Sequence, residues 1–342
     1  MALNSVTRST NIKIVNPLPT TLAHYQKELI TMLSDAAPDK RVEVLLEVGD
    51  RLDSTPKKII SAVSIVCRRW RYSRSEQSTF VIIWPLFGYL DVLTWLLVAR
   101  NNNVVIIYHD PLPLRKQIGF SRLARTIFSR VAKTTGIRAL CHTQIAKNAL
   151  LRETRIESLT AGHPLIRSRP AFREYGNAPA PMMRGPVTVL GQFKAARSLE
   201  PLVQISGSLS GRYDLRIVGK GWPAVSGWTV IDEFIDEDRF DSLIAESSCV
   251  VIPYDHFFQS GVAVRCLESR IPVVAPRHEH IEALFGVAWA GLVDPQTDWV
   301  QAIIAVTGES IELDDTVERA YSQVRDQWEK LFSTTNGNQD VA

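Results

Sequence analysis

A chain of 342 residues is long for one hydrophobic core, so two domains are the default expectation. Hydrophobic content of 45% and charged content of 22% are those of an ordinary globular protein. The net charge of +3 is too small to imply nucleic acid, and no nucleic-acid partner is expected.

Cys67, Cys141, Cys249 and Cys266 are scattered without CxxC spacing. They are expected as buried free thiols in a reducing compartment, not as disulfides or zinc ligands. No apolar run is long enough to span a membrane, because VIIWPLFGYLDVLTWLLVA (81–99) is interrupted by Pro85, Gly88 and Asp91. MALNSVTRSTNIKIV lacks the apolar stretch of a signal peptide. The expected location is the cytoplasm, with room for peripheral contact at the inner face of a membrane.

Short β-branched runs alternate with amphipathic ones. IKIVNP (12–17), RVEVLLEV (41–48), TFVIIWP (79–85), NVVIIYHDP (103–111) and IRALCHT (137–143) read as strands, and SLTAGHP (158–164) closes this half. Helical spacing marks 24–34, 90–100 and 144–152. From 167 to 186 the chain turns rich in Pro, Ala, Gly and Arg, a linker composition. The alternation then restarts. VTVLGQF (187–193), DLRIVGKG (214–221), TVIDEF (229–234), CVVIPY (249–254) and PVVAP (272–276) read as strands. Helices are expected over 199–205, 238–246, the run after Gly261, and 315–332. Such alternation predicts βαβ units and parallel sheets. Ligands of open α/β sheets bind at strand carboxyl ends, so the following loops are where function is sought.

Three such loops carry chemistry. In HFFQSGVAVRCLESRIPVVAP (256–276), Ser260 and Gly261 stand where a helix begins between two strands. Free backbone N–H groups and the helix dipole favour an anion there, and Gly261 lets a phosphate approach. The same residues equally describe an N-cap and a turn. In GQFKAARSLEPL (191–202), Lys194 and Arg197 follow a strand, where two cations can hold a pyrophosphate or equally form a solvated basic turn. In HDPLPLRK (109–116), His109 or Asp110 could orient or deprotonate a hydroxyl, or serve as a satisfied hydrogen bonder and a turn cap. His24, His142 and His163 also lie at strand ends or helix starts, where a lone histidine is more often structural. Asp236-Glu237-Asp238 is expected to complement a helix N-terminus rather than bind metal, and no metal site is expected. CRRWRYSR (67–74), basic with interleaved aromatics, would suit anionic headgroups or an ordinary exposed helix end.

In the second half four segments, in order, resemble the nucleotide-binding domain of the GT-B glycosyltransferases, especially the large retaining family 4. They are GQFKAARSLEPL, LRIVGKG, EFIDEDRFDSLIAESSCVVIPY and QSGVAVRCLESRIPVVAP, with Glu282 following where a Glu is expected. PLPTTLAHYQKELITML, YHDP and CHT resemble that family's acceptor domain more loosely. The resemblance implies a GT-B fold, with two Rossmann-like parallel-sheet domains facing a cleft. Residues 1–170 would bind the acceptor, 180–312 the nucleotide sugar, and the helix 315–332 would pack back on the first domain.

The resemblance also implies roles. Lys194 and Arg197 would hold the diphosphate, and Ser260, Gly261 and Val262 would present N–H groups to phosphate or sugar. Many members carry two glutamates eight residues apart, the second on the donor ribose, and Glu268 is the candidate for that second position. Ser260 stands eight residues before it, so the first glutamate is absent in that register. Counting back from Pro272 places Arg265 at the second position instead, and Arg270 where the family usually has Gly.

The expected activity is transfer of a hexose from a nucleoside-diphosphate sugar to a hydroxyl, with retention and without metal. No cofactor is expected beyond that donor. The acceptor would be a glycan or a lipid-linked glycan, oriented by Asp110 and His109. Alternatives are another GT-B chemistry, an inverting transferase or an epimerase, and a non-catalytic protein of the same fold. A Rossmann dehydrogenase would carry GxGxxG after a strand, and the chain has none.

Overall fold

The computed structural model describes residues 11–47, 55–74, 77–113, 118–167, 185–308 and 311–333. The expected linker between 168 and 184, Leu114–Lys116 of HDPLPLRK, Val48, and the end beyond 333 lie outside the described residues.

Contacts divide the chain into two compact units, Met1–Pro164 with Gln323–Ala342, and Leu165–Ser322. In the first, the order is β1 (Asn11–Asn16), α1 (Ala23–Ala36), β2 (Arg41–Leu46), α2 (Thr55–Tyr72), β3 (Ser78–Ile82), α3 (Asp91–Thr94) and β4 (Asn103–Ile107). Then come α4 (Arg122–Thr134), β5 (Ile137–Cys141), α5 (Gln144–Thr154) and β6 (Leu159–Thr160). The sheet order is β2-β1-β3-β4-β5-β6, and every pairing is parallel. Every residue of β3 is buried, as a parallel strand covered on both faces requires.

The second unit repeats the plan. It contains β7 (Val187–Leu190), α6 (Glu200–Leu209), β8 (Leu215–Val218), β9 (Thr229–Ile231), α7 (Glu237–Glu246), β10 (Cys249–Val251) and α8 (Gly261–Glu268). It closes with β11 (Val273–Pro276), α9 (Glu279–Phe285), β12 (Leu292–Val293) and α10 (Trp299–Gly308). The order β12-β11-β10-β7-β8-β9 is again parallel throughout. Its core joins Val187, Val189, Leu202, Ile205, Ile217, Val251 and Ile303. The last helix, α11 (Asp314–Ser333), starts in this unit, and from Gln323 it counts with the first. There the Gln327 side chain accepts from Gly162 N at 2.6 Å, and Trp328 Nε1 donates to Gly162 O at 3.0 Å.

The α/β architecture with two parallel sheets agrees with expectation, and the differences are local. The helix expected over 90–100 is only the four-residue α3 flanked by 3₁₀ turns. Helices α4, α9 and α10 had no counterpart in the sequence reading, and α2 had only its last residues marked. Cys141, Cys249 and Cys266 are buried thiols outside any disulfide, with burial pushing the Cys249 thiol up to about 12, whereas Cys67 is exposed. Among the described residues no helix is long and apolar enough to cross a membrane.

In both sheets the chain runs outward from a central strand and then returns to its other side. The order reverses between β1 and β3 in the first unit and between β7 and β10 in the second. These reversals leave a crevice at the strand carboxyl ends, where ligands of open sheets bind.

Candidate functional site

At the second reversal the loops after β7 and β10 are tied together. Ser198 N donates to Pro253 O at 2.8 Å, and Asp255 N to Ala196 O at 2.9 Å. This fixes Arg197 at the centre of the strand ends. Its Nη1 donates to Leu190 O at 2.9 Å and Gly191 O at 3.1 Å, and its Nη2 to the Tyr254 hydroxyl at 3.0 Å. The guanidinium also lies over the rings of Tyr254 (4.9 Å) and Trp222 (5.3 Å).

Trp222 Nε1 donates to Gly191 O at 2.7 Å, drawing in the end of β8. Gly191 has φ 94°, in the left-handed region that favours glycine, and an added Cβ would press on Arg197 Nη2 at 2.8 Å. Burial lowers the Arg197 pKa from the ordinary arginine value and raises that of Tyr254. The guanidinium stays charged at neutral pH, since an arginine starts far above it. Among the described residues every partner of this charge is neutral. Lys194, on the same loop, is exposed and makes no side-chain ion pair or hydrogen bond with any described residue.

Beyond Tyr254, Phe257 stacks on His278 with ring centroids 3.9 Å apart. His278 Nδ1 accepts from His280 N at 3.1 Å, and His280 Nε2 lies 3.3 Å from Ser260 O. Ser260 is buried and caps α8, its hydroxyl accepting from Ala263 N at 3.2 Å. Gly261 is exposed, its φ lies outside the left-handed region, and an added Cβ would meet nothing within 4 Å. Folding does not explain that glycine. Val262 is half-buried in the same first turn.

Several acidic and basic groups of this region are engaged. Glu268 is fully buried and accepts from Ile166 N at 2.7 Å. Arg265 is buried against α7, with Nε 3.0 Å from Asp241 Oδ1 and Nη1 2.8 Å from Glu237 Oε2. Asp236 caps α7 by accepting from Arg239 N at 2.8 Å. The expected helix-capping role of that acidic run therefore describes its geometry. Arg270 has φ 55°, in the left-handed region.

At the reversal of the first sheet, aromatic and imidazole rings gather. His109 is 5% exposed, and its Nε2–H donates to Ile83 O at 2.9 Å. Trp84 stacks over it at 5.6 Å, and Tyr25 meets its edge at 4.6 Å. The Tyr25 hydroxyl and His142 Nε2 are 2.8 Å apart, and His142 Nδ1 is 2.8 Å from Ala161 O. Donation by Nδ1–H to that carbonyl leaves Nε2 to accept from the hydroxyl. Burial, and then the Glu28 carboxylate, raise the Tyr25 pKa well above its ordinary value. Glu28 itself is buried 2.8 Å from His24 Nε2 and 3.7 Å from His163 Nδ1. Asp110 is exposed on the loop after β4, which Tyr89 steadies through a 2.7 Å bond to Pro111 O.

Tyr25, Glu28, Trp84, Trp222, Tyr254 and His280 were not singled out from the sequence. Glu28 did carry a signal, as a carboxylate four residues from His24 on the face of α1 that buries Leu29 and Met32.

No family model matches the chain, and no curated protein matches it. Solved structures match its fold. HepE from Anabaena, solved in complex with UDP and glucose, aligns at TM-score 0.59 with 10% identity, over 95% of this chain and 98% of HepE. WaaG, a glycosyltransferase involved in lipopolysaccharide biosynthesis, aligns at 0.56 with 12% identity, over 95% and 100% of the two chains. Sucrose-phosphate synthase from Thermosynechococcus elongatus aligns at 0.55 with 14% identity, over 95% of each.

Proposed function

We propose that this chain, whose fold is that of the GT-B glycosyltransferases, is itself a glycosyltransferase that takes a nucleoside-diphosphate sugar. The observation that carries the reading is Arg197, a largely desolvated charge that meets only neutral acceptors, beside the unpaired Lys194 at the reversal of the second sheet. A diphosphate supplies the missing counter-charge, and the fold neighbour HepE was solved with UDP.

The bond from the anomeric carbon to the diphosphate breaks, and a bond from the acceptor oxygen to that carbon forms. Negative charge grows on the leaving diphosphate. Lys194, Arg197 and the N–H groups opening α8 at Gly261 and Val262 stabilise it as preorganised donors, without a metal. The acceptor proton passes to a departing phosphate oxygen, which is the retaining course. We assign orientation of the acceptor hydroxyl to the exposed Asp110, and support of its loop to His109, whose ring is covered by Trp84 and Tyr25. The acceptor is a glycan or glycolipid.

A second reading, a protein of this fold that binds without turnover, is favoured by one feature. The Glu268 carboxylate is engaged by Ile166, and Arg265 faces Glu237 and Asp241.

The test is a thermal-shift panel of UDP, GDP, ADP and dTDP with their sugars, with and without Mg²⁺. A ligand at a hundredfold excess over its Kd adds about 2.7 kcal/mol to stability. The expected result is a shift by one nucleotide without metal, lost in Lys194→Ala and Arg197→Ala. No shift by any of them would sink the donor site. A shift without sugar transfer to any glycan acceptor would favour the second reading.

A further inference from the structure

We infer that the outer face of α2, with the end of β2, is a docking surface for an anionic lipid bilayer. Val63, Cys67 and Trp70 follow one another at helical spacing, which puts them on one stripe of α2. Val63 is 59% exposed, Trp70 is 53% exposed, and Cys67 is exposed as well. Leu46, at the end of β2, is another 53% exposed apolar side chain. Arg68 joins the two elements by donating to Leu46 O at 2.9 Å and Glu47 O at 3.4 Å. An indole and three further apolar or thiol side chains in water are an unfavourable exposure unless something covers them.

The charge around the stripe identifies the cover. Arg68, Arg71 and Arg74 flank it, and none forms an ion pair with a described carboxylate. Of the described acids near the stripe, Glu47 is buried against Arg69 with Oε2 2.7 Å from Nη2, and Glu43 on β2 lies 3.9 Å from Lys13 Nζ. Arg69 is fully buried and also pairs with Asp91, so it belongs to the interior and takes no part in the surface. Among the described residues, what remains outside is apolar side chains and an interfacial tryptophan flanked by three arginines that no described carboxylate pairs with. That is the composition of a helix lying in the headgroup layer of an anionic membrane. A neutral protein partner would leave the arginines unpaired. The arginine bonds to Leu46 and Glu47 also put this surface at the carboxyl end of β2, on the edge of the first sheet that carries Trp84 and Asp110. An acceptor anchored in a bilayer would therefore arrive at that edge, a consequence that rests on the transferase reading, whereas the docking surface itself does not.

The experiment is co-sedimentation of the full chain with phosphatidylcholine vesicles, with and without phosphatidylglycerol. Wild type should bind only the anionic vesicles, and binding should fade as salt shortens the screening length from about 10 Å at 0.1 M to about 3 Å at 1 M. Each arginine near such a surface is worth about fivefold in partitioning, so Arg71→Ala with Arg74→Ala should weaken it by about 25-fold. Trp70→Ser should weaken binding while keeping its salt dependence. All these residues are exposed, so the variants should melt with wild type. Equal binding of the double variant and wild type overturns the inference, and so does equal binding to both vesicle types. A dimer that Trp70→Ser dissociates and vesicles leave intact overturns it too, in favour of a second copy of the chain. Nucleotide shifts measured on the same variants keep the outcomes separate, because they should be unchanged whichever way the vesicles answer.

Discussion

His280 offers a quantitative check on the packing behind the candidate site. It is 3% exposed, and burial holds its imidazole down to about 4 against an ordinary value of 6.5, outweighing the upward pull of its bond to Ser260 O. The folded state thus keeps His280 neutral, while the unfolded chain takes up a proton below about pH 6.5. Between those values the unfolded state binds more protons, so stability is fully present above 6.5 and falls as pH drops toward 4. From pH 7.5 to pH 5 the loss is about 2 kcal/mol, rising to about 3 kcal/mol below 4. His278, also lowered mainly by burial, adds in the same direction. The assay is urea denaturation at pH 7.5 and pH 5 for wild type and His280→Gln, which cannot titrate but keeps an N–H for Ser260 O. Wild type should lose about 2 kcal/mol more than the variant over that interval. Equal losses would mean that His280 is hydrated, and that the tie between α9 and the cap of α8 is not closed.

Two further substitutions separate folding from binding. Gly261→Ala should leave the ligand-free protein as stable or up to about 1 kcal/mol more stable, since a helix prefers Ala and the added methyl meets nothing. It should weaken binding of a nucleoside diphosphate at least tenfold by calorimetry, and unchanged affinity would remove α8 from the site. Arg69→Met should destabilise by about 3–5 kcal/mol in urea, because it strands the buried carboxylates of Glu47 and Asp91. Arg71→Ala should stay within about 0.5 kcal/mol of wild type, and a similar cost for both would show that Arg69 is a surface residue.

Those two arginines show where sequence reading succeeds and stops. Parallel strands buried on both faces must be continuous apolar runs, so FVII and VVII announced the sheets directly. The basic character of CRRWRYSR was equally plain. Helical phase could have placed Arg69 below Ile65 on the buried side, but its partners, Glu47 and Asp91, each stand 22 residues away. Pairings at that range depend on the order of strands, which periodicity does not specify. The same holds for Glu268, whose bond to Ile166 closes a separation of 102 residues. Arg197 was legible as a cation at a strand end, whereas its seat between Tyr254 and Trp222 needed the reversal that brings β7 beside both β8 and β10.

Charge accounting at that reversal decides which cations can receive an anion. Arg265 is taken by Glu237 and Asp241, and Arg270 by Asp314 at 2.9 Å. Arg277 is shared by Glu282 at 2.8 Å and Asp294 at 2.9 Å, so the glutamate that follows PVVAP in the expected position is already engaged. Lys220 leans on Asp232 at 3.5 Å, and Asp232 also accepts from Gly221 N at 2.7 Å. Among the described residues of these loops, Lys194 and Arg197 remain without a carboxylate. A diphosphate placed beside them would meet two charges that no described carboxylate pairs with. Displacing an anion from Arg265 or Arg277 would instead mean breaking an existing pair. Arg265, which counting back from Pro272 sets at the family's second glutamate position, adds little positive potential to the strand ends, because Glu237 and Asp241 of α7 pair with it.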